Sequence, residues 1–363
     1  MIKEISPTIM KFLSELKNSD LSKEVVLLRV DLNVERPEGS LRLRAIAPTL
    51  KFLLERGARI TILSHKGRPA GANPAFSLES YAAHISEKIG ERVVFAPDAD
   101  HLPDARVVLL ENLRFDAREE KNDPEFAKQL ALLGTMYVND AFAVSHRANA
   151  SVAAITGFLP SYAGLLFEKE YDSLSRVMAK SEHPLIFVIG GAKIGDKLGV
   201  IEKFWDKADF FLLGGGPANT VLKAKGVDIQ NSIYDENLMD FANQLAASGK
   251  VIAPQDWEVG DRRISDIGPS STRRFGEYIA GAKAVVWNGP MGQYEDPRFR
   301  AGSEGIARAI AESGAYSVVG GGETTELIIS LGLEDKFSFV STAGGAMLEF
   351  LAGKDLPGVT ALG

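Results

Sequence analysis

Short apolar runs alternate with amphipathic stretches along the whole chain. In the first half, Val25–Val30, Arg59–Leu63, Arg92–Phe95, Val107–Leu110 and Thr135–Val138 predict strands. In the second half, Leu185–Ile189, Phe210–Leu213, Val251–Ala253, Ala284–Trp287, Tyr316–Val319 and Phe337–Val340 do the same. Continuous apolar runs of this length suit a parallel sheet covered on both faces. Between them, helical spacing marks Ala45–Arg56, Leu78–Ile89, Pro124–Leu133, Asp196–Trp205, Ala218–Lys225, Glu236–Ala247, Ser303–Ser313 and Thr324–Leu331. Such alternation means parallel sheets wound with helices, and the length fits two sheets better than one. Phe167, Tyr171, Leu174 and Met178 lie at helical spacing within 162–180, with Gly157 and Pro184 punctuating the ends. That segment predicts a long helix joining two domains.

The strand exits differ in chemistry between the halves. In the second half they are glycine-rich: Gly190-Gly191-Ala192-Lys193, Gly214-Gly215-Gly216, Asn288-Gly289-Pro290-Met291-Gly292 and Gly320-Gly321-Gly322. Ligands of open α/β sheets bind at the carboxyl ends of strands. Glycine there removes Cβ and lets backbone N–H groups close on phosphate oxygens. Four such exits point to a phosphate-rich ligand, although any one of them could be tight strand-to-helix packing. Lys193 and Lys197 stand four apart at the opening of a predicted helix, which places both ammonium groups on one face. The helix N-terminus adds partial positive charge and free donors. No Walker A sequence and no G-x-G-x-x-G fingerprint is present, which weakens a dinucleotide-dependent dehydrogenase reading.

First-half exits are polar and basic. They run Asp31-Leu32-Asn33, then Ser64-His65-Lys66-Gly67-Arg68, then Glu111-Asn112-Leu113-Arg114, then Asn139-Asp140 with Ser145-His146-Arg147. Arg42 is placed shortly before the Ala45 helix. Guanidinium forks match phosphate and carboxylate bidentately, so the set points to a small acidic substrate. His65 and His146, two of five histidines, either bond that substrate or orient loops. Arg118, Glu119, Glu120 and Lys121 read as a solvated face.

Composition narrows the classes. The 363 residues are 45% hydrophobic and 25% charged, enough for two ordinary domains with real cores. A net charge of -7 argues against a general nucleic-acid or membrane-surface binder without excluding a local basic pocket. There is no cysteine, so no disulfide, thiolate nucleophile or Cys-ligated metal exists. No stretch has the length of a membrane span or the apolar core of a signal peptide. The expectation is a soluble cytoplasmic protein with no nucleic-acid or membrane partner.

In order, the motifs RVDLN, SHKGRP, ENLRF, NDAF with SHRA, GGAKIGDK, GGGPANT, WNGPMG, GGGET and STAGGA with LEF resemble those of phosphoglycerate kinases over nearly the whole chain. The resemblance implies an α/β fold of two doubly wound parallel-sheet (Rossmann-like) domains joined by a helix, with an interdomain cleft. It implies a substrate domain 1–161 joined by a C-terminal segment 349–363, a linker helix 162–180 and a nucleotide domain 181–348. The implied activity is phosphoryl transfer between 1,3-bisphosphoglycerate and ADP, giving 3-phosphoglycerate and ATP with magnesium, by a hinge-bending monomer. The implied substrate pocket is Asp31, Asn33, Arg42, His65, Arg68, Arg114 and Arg147. The implied nucleotide contacts are Gly191, Ala192, Lys193, Lys197, Gly214, Gly215, Asn288, Pro290, Glu295, Gly321, Gly322, Glu323 and Thr324, with Glu295 at the ribose. Arg42, Lys193 and Lys197 take the catalytic role, and Glu323 holds the nucleotide's magnesium.

The chain departs from the family pattern in places. Glu323 stands where the family has aspartate, which pushes its oxygens about 1.5 Å further along. Ala343 replaces the first glycine of a turn and would be strained if that position needs positive φ. Asn149 replaces a histidine, and Lys66 an apolar residue. These changes motivate an alternative, a catalytically degenerate nucleotide-binding scaffold of the same fold. Retention of Lys193, Lys197, Arg42 and Glu295 argues against it.

Overall fold

The computed structural model describes residues 10–35, 37–179, 182–192 and 194–363. The chain divides into two compact units, residues 1–172 with 355–363, and residues 173–354. The first contains the strands β1 (Val25–Arg29), β2 (Arg59–Leu63), β3 (Val93–Ala96), β4 (Val107–Leu110), β5 (Met136–Asn139) and β6 (Ser161–Ala163). They pair in the order β3-β4-β2-β1-β5-β6, every pair parallel. The connections between these strands carry α1 (Leu41–Glu55), α2 (Tyr81–Ile89) and α3 (Pro124–Ala131), and α4 (Leu165–Ala179) follows β6. Val26, Leu28, Ile60 and Ile62 from the strands pack with Ile46, Leu50, Leu53 and Ile85 from the helices as the core.

Local chemistry sets the helix ends. The Ser40 hydroxyl accepts from the Leu43 N–H and starts α1 earlier than the apolar spacing predicts. Arg42 therefore lies in the first turn of α1, not ahead of the helix. Asp123 caps α3 ahead of Pro124, and Gly90 closes α2 in the left-handed region (φ 72°). The β6 strand escapes the pattern because it has three residues and only Ala163 is buried.

Asp140, just past β5, accepts from the Leu166 and Phe167 N–H groups at 2.8 and 3.1 Å and so caps α4 from a distance. Burial pushes its carboxyl up to about 6. The folded value lies above the unfolded one, near 3.9. The resulting stabilisation is complete below the unfolded value and is lost as pH rises through the folded one. Its ceiling is roughly 3 kcal/mol. Asp140→Asn keeps an acceptor for the two N–H groups. Urea titrations from pH 4 to 7 should show wild-type stability falling relative to Asp140→Asn; parallel curves would contradict this.

The second unit repeats the design with β7 (Leu185–Ile189), β8 (Phe210–Leu213), β9 (Val251–Ile252), β12 (Ala284–Asn288), β13 (Tyr316–Gly320) and β14 (Phe339–Val340), in the order β14-β13-β12-β7-β8-β9, again all parallel. Its helices are α5 (Gly195–Phe204), α6 (Gly215–Ala224), α7 (Met239–Ala247), α8 (Pro269–Ala280), α9 (Ala301–Ser313), α10 (Gly322–Ser330) and α11 (Gly345–Leu351). Trp287 is fully buried in the central strand and donates its indole N–H to the Gly289 carbonyl at 2.9 Å. A separate antiparallel hairpin, β10 (Trp257–Gly260) with β11 (Arg263–Ile267), has no counterpart in the sequence reading, and neither does α8. Phe275 and Ile279 bury one face of α8, and Asp256 accepts from the Ser270 and Ser271 N–H groups at its start.

The division between the units falls within α4, between Asp172 and Ser173, and again between Lys354 and Asp355. The last short helix, α12 (Pro357–Thr360), belongs to the first unit, where the Gly358 N–H donates to the Ser145 carbonyl at 2.8 Å. The left-handed turn before α11 falls on Gly344 (φ 51°) and not on Ala343, so the alanine there brings no positive-φ strain.

Candidate active site

In the first unit, residues beyond the carboxyl ends of β1, β2, β4 and β5 form a cationic cluster. Arg42 bridges to the Asp31 carboxylate at 3.0 Å and donates to the Asn33 carbonyl at 2.7 Å. The Asn33 side chain accepts from the Gly67 N–H at 2.8 Å, and Arg114 donates to the Gly67 carbonyl. The amide of Asn112 donates to the Lys66 and Phe76 carbonyls, which fixes the loop after β2. Arg147 donates to the His146 ring at 3.1 Å, and Arg68 is exposed on the β2 loop. The structure thus brings Asp31, Asn33, Arg42 and Arg114 around one loop system, with His65 beside them.

His65 is 2% exposed. Burial drives its pKa well below 6.5, and the charges of Arg29, Arg114, Arg147 and Arg42 push it further down. The ring is therefore neutral at pH 7. Arg114, 5% exposed, is lowered to about 10 by burial and then by Arg147, and stays charged. A concentration of positive charge around a neutral imidazole is built for a small polyanion.

Three residues in this region were missed from the sequence. Arg29 is 1% exposed and donates to the Ser151 hydroxyl at 2.9 Å and to the Val30 carbonyl. Its other terminal nitrogen lies 3.1 Å from His65 Nδ1. Ser151 in turn donates its hydroxyl to Glu119 at 2.6 Å and its N–H to the other carboxylate oxygen at 3.0 Å. Glu119 is fully buried, which corrects the reading of 118–121 as a solvated face. An arginine inside an otherwise apolar strand run was the available signal for Arg29. Glu119 had none, because its burial depends on Ser151, 32 residues away.

In the second unit the glycine exits are laced together. Gly190 N–H donates to the Asn288 carbonyl, Gly191 N–H to Pro290, Gly215 N–H to Met291 and Gly216 N–H to Gly191, at 2.6–3.0 Å. A Cβ on Gly190 would lie 2.1 Å from the Pro290 oxygen. Only glycine permits this approach. The exits border a pocket of about 240 Å³ lined by Gly191, Ala192, Gly215, Pro290, Glu295 and Glu323 among others. Arg263, Ile264 and Ser265 of the β11 strand complete it, a contribution the sequence reading lacked.

Gly214, Asn288 and Thr324 are buried beneath this surface. Asn288 donates to the Gly320 carbonyl at 3.0 Å, and Thr324 accepts from the Gly289 N–H at 2.9 Å, tying β12 to the β13–α10 turn. Gly321, at φ 102°, and Gly322 open α10, and Glu323 lies in its first turn. Lys197 is buried on α5 with its ammonium on the Gly190 carbonyl, close behind Gly191. Lys193 lies outside the described residues. Among the described residues no group of three or more His, Asp or Glu side chains could hold a metal ion. Glu323 and Glu295 are both on the pocket, and a site with so few carboxylates suits magnesium bound chiefly through substrate phosphates. No described helix is long and apolar enough to cross a membrane.

Two wound parallel sheets, one ending in guanidinium forks and the other in a glycine-lined pocket beside helix N-termini, make up a kinase of small acidic metabolites. The phosphoglycerate kinase family model matches residues 16–354. The chain is 41% identical to the cytosolic phosphoglycerate kinase of Triticum aestivum, over 96% of this chain and 97% of that one. It is 43% identical to the phosphoglycerate kinase of Thermomicrobium roseum, over 95% and 98%. The solved phosphoglycerate kinase of Coxiella burnetii superposes with a TM-score of 0.83 at 35% identity, covering 98% of this chain and 99% of that one. That of Pyrococcus horikoshii superposes at 0.85 with 32% identity, covering 97% and 98%. The chain belongs to the phosphoglycerate kinase family. It is a phosphotransferase, and the comparisons lend no support to the degenerate scaffold.

Proposed function

We propose that the first unit holds 3-phosphoglycerate or 1,3-bisphosphoglycerate through Asp31, Asn33, Arg42, His65, Arg68, Arg114 and Arg147. The second holds ADP or ATP at the glycine-lined pocket, with Glu295 toward the ribose, and the phosphoryl group passes between them. The observation that carries this reading is the buried, neutral His65 surrounded by Arg29, Arg42, Arg114 and Arg147. Toward ATP the leaving group is a carboxylate. In reverse the nucleophile is a carboxylate already ionised near pH 7. No general base is needed, which agrees with an imidazole kept neutral as a hydrogen-bonding group. Catalysis then rests on positioning and on cations that meet the equatorial oxygens.

Arg42 and Lys193 are the groups assigned to the transferring phosphoryl, with Lys197 holding the loop beside it. Closure of the two units on their ligands expels water and protects the acyl phosphate. The test mixes enzyme, magnesium, ATP and 3-phosphoglycerate and follows ADP while the acyl phosphate is trapped. Turnover is expected, and Arg42→Ala and Lys193→Ala should each lower kcat by about 10²–10³-fold. Nucleotide binding without turnover would remove the reading. Small-angle scattering with both ligands bound should show compaction, and none would remove the closure step.

The donor set fits magnesium held by one carboxylate, Glu323, together with nucleotide phosphates; bound there, it would neutralise phosphate charge. Glu323→Ala should raise the magnesium concentration for half-maximal activity at least about tenfold, the loss of one charged ligand. An unchanged requirement would take Glu323 out of that role. Cytosolic relatives support a cytoplasmic placement, and the monomeric state is checked by sedimentation.

A further inference from the structure

Behind the cationic cluster runs a buried chain of polar groups from Glu119 through Ser151 and Arg29 to His65. A guanidinium has donors and no acceptor. The 3.1 Å contact between Arg29 and His65 Nδ1 is therefore a hydrogen bond only if Nδ1 is unprotonated. A neutral imidazole then carries its proton on Nε2. His65 Nε2 makes no hydrogen bond with the described residues and is not among the fully buried polar atoms that lack a partner, so this nitrogen reaches solvent while the rest of the ring is buried. An N–H donor there is open to an acceptor that a ligand supplies.

Arg29 cannot drift from this position. Its Nε is held by Ser151, one terminal nitrogen by the Val30 carbonyl and the other by His65. Ser151 is fixed in turn by both oxygens of Glu119 and, at its carbonyl, by the Tyr137 hydroxyl at 2.7 Å. Each group has one set of roles available: Glu119 accepts, the Ser151 hydroxyl donates to Glu119 and accepts from Arg29, and Arg29 donates onward. We propose that Arg29, anchored by Glu119 and Ser151, is a positioning residue that locks His65 in the Nε2–H tautomer, so that the imidazole offers an N–H donor to an oxygen of the acidic substrate. The inference rests on the reading of His65 as a substrate contact. Arg29 acts through His65 and touches no substrate itself.

The test records long-range ¹H–¹⁵N spectra of the full-length enzyme, labelled at histidine, at pH 7 without substrate, with His65 assigned from His65→Gln. A pyridine-like Nδ1 and a pyrrole-like Nε2 are expected. A proton on Nδ1, or on both nitrogens, would overturn the proposal. Arg29→Met combined with Glu119→Gln removes both buried charges together and should give a mixture of tautomers. With it, KM for 3-phosphoglycerate should rise about tenfold with a much smaller change in kcat, the loss of one well-oriented hydrogen bond. An unchanged single tautomer in that variant would also overturn the proposal. A released tautomer with an unchanged KM would uphold the lock by Arg29 and instead remove His65 from substrate binding. If the double variant does not fold, the wild-type spectrum still decides.

Discussion

Glu119→Ala should lower the stability of the first unit by about 3–5 kcal/mol, the cost of leaving a buried charge without its counterpart. The loss falls on Arg29, whose guanidinium would remain inside the sheet while its acidic partner, reached through Ser151, is gone. The hydroxyl and N–H of Ser151 would lose their acceptors at the same time. Glu120, the next residue, is the control. It is 55% exposed and faces the buried Arg114 Nε at 3.3 Å; because its own carboxylate stays solvated and Arg114 keeps the Gly67 carbonyl, truncating it should cost clearly less than truncating Glu119. Urea unfolding followed by circular dichroism and by protease resistance of the first unit separates the two variants. Because the chain has two units, the first transition should be fitted on its own. Equal, small effects from both truncations would show that Glu119 carries no structural charge balance.

Gly289→Ala should weaken ADP binding by about two orders of magnitude, some 2–4 kcal/mol, combining backbone strain with a steric clash. Gly289 has φ 90°, in the region that side chains avoid, and its Cβ would lie 2.2 Å from the Gly190 carbonyl oxygen. The two nearest atoms, the Gly190 carbonyl oxygen and carbon, are backbone and cannot yield as the third, Lys197 Nζ at 2.8 Å, can, so the β12 exit must move away from the β7 exit. That movement opens the lacing that shapes the pocket and disturbs the carbonyl on which Lys197 rests. Gly314→Ala supplies the comparison. It also has positive φ (69°), but no atom lies within 4 Å of its Cβ. It should cost about 1 kcal/mol of stability and leave nucleotide affinity as it was. Calorimetric titration of ADP into both variants tests the pair, and similar affinities would refute the argument from the laced exits.

The sequence exposes some parts of this molecule better than others, for physical reasons. Buried parallel strands are legible because both faces demand apolar side chains, and β2, β4, β7 and β8 match their apolar runs end to end. The hairpin of β10 and β11 is hidden because its turn places Asp261 and Arg262 in the left-handed region (φ 50° and 57°), where Asn-Gly is the usual signal. The α8 helix is hidden by its polar sequence, with only Ser271, Phe275 and Ile279 buried. Site residues follow the same division. Arginines and glycines at strand exits announce themselves by position. Arg263, Ile264 and Ser265 reach the pocket only because the hairpin folds toward it, and Glu119 is hidden inside a charged run.

The return of α12 to the first unit sets an order on biosynthesis. The loop bearing His146 and Arg147 is supported at the Ser145 carbonyl by Gly358, five residues from the end of the chain. The whole of the second unit lies between this loop and its support, so the first unit's six strands are all made before the loop is braced. A purified variant truncated after Lys354, which lacks α12, should therefore keep a protease-resistant second unit and bind immobilised 3-phosphoglycerate more weakly than the protein that has it.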